Sequence, residues 1–170
     1  VGGTNYVYVV GGCTPDCGTA ANIYSTVYKA TIDGSGNIGT FATTSQGQLP
    51  QKLQQGRSVA ATIGGTMYLY VIGGSGGDIV GSLSTVYKAT IDASGNVGTF
   101  ATTSQGQLPA IRERHDVITA SVGGTQYVYV IGGNTASTVY KATIDGSGNV
   151  GAFSTTSQGQ LPQALNGLST

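Results

Sequence analysis

The hydrophobic pattern of the chain is dominated by one short stretch that occurs three times. Five β-forming residues precede a pair of glycines at 6–12, 68–74 and 127–133. Apolar or aromatic residues fill every strand position, whereas a strand with one solvated face alternates between apolar and polar residues. Nowhere does a stretch of helical length show a 3.6-residue apolar period. The pattern predicts an all-β protein in which this strand is buried on both faces.

Two further segments recur in the same order, so the chain consists of tandem repeats. Val-Tyr-Lys-Ala-Thr-Ile-Asp occupies 27–33, 86–92 and 139–145, and Thr-Thr-Ser-Gln-Gly-Gln-Leu-Pro occupies 43–50, 102–109 and 155–162. The copies differ most in the loop after each glycine pair, which spans 13–24, 75–83 and 134–136. A constant frame with one variable loop is typical of repeat scaffolds that vary their surface.

Each complete repeat is predicted to form four antiparallel strands. In the second repeat they span 58–62, 67–72, 84–92 and 97–102. Four-stranded units in tandem, apolar on both faces, are typical of β-propeller blades, and the small residues of the first strand suit the innermost position. We therefore expect about three blades: 1–50 lacks its innermost strand, 51–109 and 110–162 are complete, and 163–170 begins another innermost strand.

The repeated residues resemble those of the kelch family. The matching elements are Arg57 to Ala61, Tyr70 to Gly74, Val86-Tyr87, Phe100 (where kelch repeats usually have Trp) and Leu108-Pro109. The repeat is longer than the usual kelch period of about 50 residues, and the chain has no tryptophan. The resemblance implies a propeller whose connectors before the innermost strands face a central opening, where ligands commonly sit.

Three blades are fewer than the four to eight of a typical propeller. We expect the chain to be a segment of a longer protein, or two copies to complete a six-bladed ring, or blades to stack into an open fibre. The sequence has no initiator methionine, signal peptide or anchor motif, which favours a mature or excised chain.

Composition narrows the class of partner. Lys and Arg together number seven, as do Asp and Glu, so the formal net charge is zero. Neutrality gives no electrostatic basis for binding nucleic acid or an anionic membrane. Charged residues make up 8% of the chain, against about 25% in ordinary soluble domains. A surface with so few charged residues is typical of secreted or cell-surface β proteins. The longest apolar runs, about five residues, are too short for a membrane helix.

The two cysteines lie in one loop, at Cys13 and Cys17. We predict a local disulfide, which implies an oxidising compartment; free thiols and a metal site remain alternatives. A metal site needs more ligands, and the only histidine, His115, lies in another repeat. We predict no metal and no cofactor.

One dense charge cluster marks a candidate ligand site. Arg112, Arg114 and His115, with Arg57 from the preceding connector, could bind an anionic or sugar ligand. The alternative is a solvated loop whose charges neutralise one another. His115 has no neighbouring nucleophile, so we predict no catalytic residue, and a single histidine excludes the copper site of kelch-like oxidases. Tyr24, beside the cysteines, is a candidate for stacking on a sugar, whereas the strand tyrosines are predicted to be core.

The segments 33–37, 92–96 and 145–149 place oxygen-bearing side chains at alternating positions. They are hairpin turns or, alternatively, cation sites that lack the distal acidic ligand of a calcium loop.

For the whole chain we expect a non-enzymatic binding or adhesion module for protein or glycan ligands. The alternatives are a self-assembling surface fibre or coat, joined through exposed terminal strands, and a non-catalytic part of a propeller enzyme.

Overall fold

In the computed structural model the chain is all-β and forms three antiparallel sheets, with residues 3–44, 47–77, 80–103, 106–156 and 159–167 described. The first sheet contains β1 (Asn5–Val10), β2 (Val27–Ile32) and β3 (Ala42–Thr43). The second contains β4 (Arg57–Ile63), β5 (Thr66–Ile72), β6 (Val86–Ile91) and β7 (Ala101–Thr102). The third contains β8 (Asp116–Val122), β9 (Thr125–Ile131), β10 (Val139–Ile144) and β11 (Ser154–Thr155). Within each sheet the strands lie side by side in chain order.

This architecture confirms the prediction of an all-β chain with three blade-like sheets. Among the described residues, the first sheet has three strands and no counterpart of β4, and the sheets do not close into a ring. The sheets fall within 1–50, 51–109 and 110–162. Of the last segment, Leu165 forms a bridge with Ala136, and 168–170 lie outside the described residues, so a further first strand stays a prediction.

The central strand β5 is covered on both faces, as its sequence predicts. Leu69 and Val71 pack in a core shared with the first sheet. Tyr68, Tyr70 and Ile72 pack in a second core shared with the third sheet. Successive side chains of a strand point to opposite faces, so an unbroken apolar run lets one sheet serve two neighbours. The second sheet therefore lies between the other two.

The first strands of neighbouring sheets lie against each other, β4 beside β8. Their small side chains, including Ala61 and Thr119, are partly buried at this approach. Ser58, Ala60 and Thr62 point the other way and are exposed, because the first sheet has no first strand to cover them. The innermost position predicted for this strand stays a prediction, because the described sheets do not close around an axis.

The fourth strand is shorter than predicted. Residues 97–102 were expected to be extended, but β7 contains only Ala101 and Thr102, with a separate bridge between Val97 and Ile91. The intervening Gly98 donates its N–H to the carbonyl of Thr90 at 2.8 Å, and a Cβ there would lie 3.0 Å from the Thr90 hydroxyl. The chain therefore bends at Gly98 before pairing resumes.

The glycine pairs are crossing points for the connectors between sheets. Gly74 donates its N–H to the carbonyl of Arg112 at 2.7 Å. A Cβ on Gly73 would stand only 2.3 Å from the same carbonyl oxygen. Gly12 donates to the carbonyl of Leu53 in the same way, at 2.8 Å. Each pair therefore ends a strand and lets the next connector pass close to the backbone.

Candidate functional site

The predicted charge cluster lies where β4 and β8 begin. Arg57 and Asp116 occupy equivalent positions in neighbouring repeats, and their Nε and Oδ1 atoms are 4.0 Å apart. Asp116 is buried, and its Oδ1 also accepts a hydrogen bond from the backbone N–H of Val117 at 2.8 Å. The pair links the first strands of two sheets.

Arg112 is buried, although its residue type predicts exposure. It occupies the position of Leu53 in the preceding connector, which is also buried. Its guanidinium lies 5.1 Å from the centre of the Tyr140 ring and hydrogen bonds the Tyr140 hydroxyl through Nη2 at 3.2 Å. Stacking on an aromatic ring suits arginine, which is more weakly hydrated than lysine. Arg112 therefore acts as a packing residue in the core between the second and third sheets.

His115 has no exposed surface. Its imidazole lies beneath the second glycine pair, where a Cβ on Gly73 would stand 2.9 Å from Cε1. Burial disfavours the charged ring and, with repulsion from Arg57 and Arg112, lowers the pKa of His115 to about 4. The side chain is neutral at physiological pH.

The structure divides the predicted ligand site into a buried and an exposed part. Arg57, Arg112 and His115 come together with Asp116, but His115 and Arg112 lie inside the protein. Arg114 points outward, and its Nε donates to Oε1 of Gln55 at 3.0 Å. Binding at this cluster stays a prediction, and the burial of its members favours a structural role.

The cysteine loop contains the predicted disulfide, between Cys13 and Cys17. The carbonyl of Cys17 accepts a hydrogen bond from Nε2 of Gln54 at 2.6 Å, and the carbonyl of Ala20 accepts one from Nζ of Lys52 at 2.9 Å. Both donors belong to the following connector, so the loop is fixed to the frame. Tyr24, the predicted stacking residue, is 43% exposed.

A groove of about 360 Å³ separates the variable loops of the first two repeats. Its lining residues are Ala20, Ala21, Gln51, Lys52, Gly76 and Val80. The loops also touch beside it, where a Cβ on Gly77 would lie 2.6 Å from Cδ1 of the buried Ile23. The sequence indicated that these loops vary, but their contact depends on the stacking of the sheets. Residues 78 and 79 lie outside the described part of the chain.

The predicted hairpin turns are confirmed. In the second repeat, Oδ1 of Asp92 accepts the backbone N–H groups of Ser94 and Asn96, and Oδ2 accepts the Asn96 amide. These hydrogen bonds lower the pKa of Asp92. In the described residues no three His, Cys, Asp or Glu side chains gather as a metal site requires.

The same turns also receive side chains from the preceding sheet, a contact that sequence reasoning missed. The Tyr8 hydroxyl donates to the carbonyl of Gly95 at 2.9 Å, and Nζ of Lys29 donates to the carbonyl of Ser94 at 2.9 Å. The next junction repeats this arrangement: Tyr70 donates to Gly148 at 2.8 Å and Lys88 to Ser147 at 2.9 Å. The recurrence of these tyrosines, lysines and turns in every repeat was the available signal.

The apolar segments of the described residues include no helix long enough to cross a membrane. No family model matches the chain, and no curated protein sequence matches it. The resemblance to kelch repeats therefore rests on the repeated residues themselves.

Proposed function

We propose that the protein is an extracellular or cell-surface kelch-like module that binds a protein or glycan ligand through the loops after its glycine pairs. The observation that carries this proposal is the groove between loops 13–24 and 75–83. Two loops of different sequence and length meet there on a frame that is otherwise repeated. Loops held by a rigid scaffold are the usual place for recognition.

The lining of the groove suits an amphipathic ligand. Ala20, Ala21 and Gly76 provide a surface of small residues, and Val80 provides an apolar side chain that is 49% exposed. Gln51 and Lys52 add hydrogen-bonding groups. Mostly apolar linings with a few polar groups are common in ligand sites. Tyr24 lies on the same loop as Ala20, and its exposed ring could stack on the C–H face of a sugar.

The disulfide supports an extracellular location, because such bonds persist in oxidising compartments. The buried state of the single histidine supports a non-enzymatic role, since a general base must reach the proton it removes. Glu113 is likewise engaged, with Oε2 accepting a hydrogen bond from the Ser82 hydroxyl at 3.1 Å.

A test compares a groove variant with a matched surface variant. Wild-type protein, Ala21→Arg and Val122→Arg are applied to arrays of immobilised neutral and anionic glycans and of purified cell-surface ectodomains. Ala21 and Val122 are both exposed, and only Ala21 lines the groove. We expect wild type and Val122→Arg to bind the same probe and Ala21→Arg to lose it. Failure of the wild type to bind any probe, or equal binding by Ala21→Arg, contradicts the proposal.

A second candidate function is a self-assembling surface fibre or coat. The observation that favours it is the uncovered apolar face at each end of the stack of sheets, whereas both faces of the second sheet are covered.

A further inference from the structure

The first sheet has an apolar face that every other sheet keeps buried. Val9, Tyr28, Ile38 and Phe41, here called the open face, are between 39% and 56% exposed. In the second sheet, the equivalent residues pack against the first sheet and are between 1% and 7% exposed; they are Val71, Tyr87, Val97 and Phe100. The open face therefore has the same kinds of residue as the interface between two sheets, but no second sheet covers it.

The third sheet carries the opposite half of such an interface. Tyr127, Tyr129 and Ile131, here called the forward face, are only partly buried. Their equivalents in the second sheet are buried against the third sheet; they are Tyr68, Tyr70 and Ile72. The two uncovered faces are thus different surfaces, and each matches one side of the two internal junctions.

The polar groups of the internal junctions are also present on these faces. Lys141 lies 5.7 Å from the Tyr127 ring centre, as Lys88 lies 5.3 Å from that of Tyr68. Lys88 donates to the next turn, whereas Nζ of Lys141 and the hydroxyl of Tyr129 have no hydrogen-bond acceptor among the described residues. The donors of the forward face are therefore arranged as in the internal junctions.

The acceptor turn lies beside the open face, at 33–37. Gly36 has a φ of +83°, close to the +74° of Gly148, and Asp33 organises the turn through the same hydrogen bonds. A Cβ on Gly148 would meet the Tyr68 ring at 2.7 Å, whereas one on Gly36 would meet nothing within 4 Å. The 33–37 turn is an acceptor site that no described tyrosine covers.

We propose that the forward face of one copy of this chain docks on the open face of a second copy. In this junction Tyr129 donates to the carbonyl of Gly36, Lys141 donates to the carbonyl of Ser35, and the Tyr127 ring covers Gly36. The occupant is a second copy because both internal junctions already join these two kinds of face. Since the faces differ, the copies associate head to tail and form a closed ring or an open stack. The junction is separate from the groove between the variable loops, so its failure leaves the proposed binding function standing.

Native mass over a range of protein concentrations gives the first test. We expect light scattering after size-exclusion chromatography to show dimers or larger assemblies of the 170-residue chain. A donor variant, Tyr129→Phe with Lys141→Ala, and an acceptor variant, Ile38→Asp, should each weaken association about tenfold or more, because each removes hydrogen bonds or buries an unpaired charge. Ile111→Asp is the control, since Ile111 is 51% exposed and lies in the connector between the second and third sheets, on neither face. A wild-type monomer at all concentrations overturns the proposal, as does association unaffected by either variant.

Mixing the two variants tests the head-to-tail arrangement. The donor variant retains an intact open face and Ile38→Asp retains an intact forward face, so the mixture should form a heterodimer that neither variant forms alone. A symmetric contact between two open faces would instead be insensitive to the donor variant and would not be restored by mixing. Circular dichroism and urea denaturation of each variant confirm that the monomer is folded. Absence of the heterodimer from folded variants overturns the proposal.

Discussion

The hydroxyl of Tyr70 donates a 2.8 Å hydrogen bond to the main-chain carbonyl of Gly148 and joins the second sheet to a turn of the third. Tyr70 is wholly buried, and burial, with smaller contributions from Tyr68 and Asp145, raises the pKa of its hydroxyl. Tyr8 makes the equivalent bond, and burial raises the pKa of Tyr8 to about 12. Each junction thus combines an apolar core with a fixed polar contact at its edge.

Tyr70→Phe should lower the free energy of unfolding by about 1–2 kcal/mol, because a buried carbonyl loses its hydrogen-bond partner. Urea denaturation measures the change. The control is Tyr24→Phe, which removes a hydroxyl 3.2 Å from the Thr14 hydroxyl at an exposed site and should have an effect below about 0.5 kcal/mol. Equal effects of the two substitutions would contradict a stabilising role for the junction bond.

Gly148→Ala should be more destabilising than Gly36→Ala. Both glycines have positive φ, +74° and +83°, so a left-handed alanine costs about 1–2 kcal/mol at either site. Only at position 148 would the new methyl group meet the Tyr68 ring, at 2.7 Å, and overpacking adds about 1–3 kcal/mol. The comparison is made by urea denaturation at low protein concentration, where the contact between copies does not contribute. Similar decreases in the free energy of unfolding at both positions would show that the Tyr68 ring moves away from the new methyl group without destabilising the fold.

Stability should fall as the pH is lowered through the range set by His115. The pKa of His115 is lowered from 6.5 to about 4 in the folded state, so the unfolded chain binds the proton more tightly. The free energy of unfolding is therefore unaffected above pH 6.5 and decreases from there to about pH 4, by about 3 kcal/mol in total. The pKa values of Asp33, Asp92 and Asp145 are lowered from 3.8, so their effect begins near the bottom of this range.

His115→Gln separates the histidine from other groups. Urea denaturation between pH 7.5 and 4.5 should give a flatter pH dependence for the variant, whatever its stability at pH 7.5. A slope equal to that of the wild type would assign the acid sensitivity to other groups.

Cys13→Ser with Cys17→Ser should lower the free energy of unfolding by about 2 kcal/mol, as expected for a bond that closes so short a loop. The cysteines are four residues apart. In thermal denaturation, the variant and the reduced wild type should show the same decrease in melting temperature relative to oxidised wild type. Amide exchange in β9 should be unchanged under native conditions, because the loop contacts the connector at Lys52 and Gln54 and not the third sheet. Unchanged melting would show that the loop keeps its conformation without the bond.

The strands could be predicted because their pattern follows from local geometry. An apolar run such as Tyr68 to Ile72 requires cover on both faces, and the structure provides it. The Asp92 turn follows from residues that hydrogen bond their own backbone. The fourth strand was predicted too long because the pattern of β-formers does not register the bend that Gly98 makes toward Thr90.

The burial of two members of the charge cluster could not be predicted from residue type. Arg112 and His115 normally lie at a surface, and their burial depends on how the connector crosses the glycine pair at Gly73. Alignment of the repeats contained a partial signal, since Arg112 occupies the position of Leu53 and of Leu165. A position that is apolar in two repeats is a buried position in the third.

Every repeat carries both partners of a junction, since one unit supplies Tyr70 and Lys88 to the following turn and presents its own turn at Gly95 to the preceding tyrosine. Duplication of a whole unit in the gene would therefore introduce a donor and an acceptor together, and the inserted unit would fit between its neighbours without compensating substitutions. Deletion of a unit would likewise leave a tyrosine, a lysine and a turn matched at the new junction. The length of the array can thus change during evolution independently of the loops, which vary in sequence after each glycine pair.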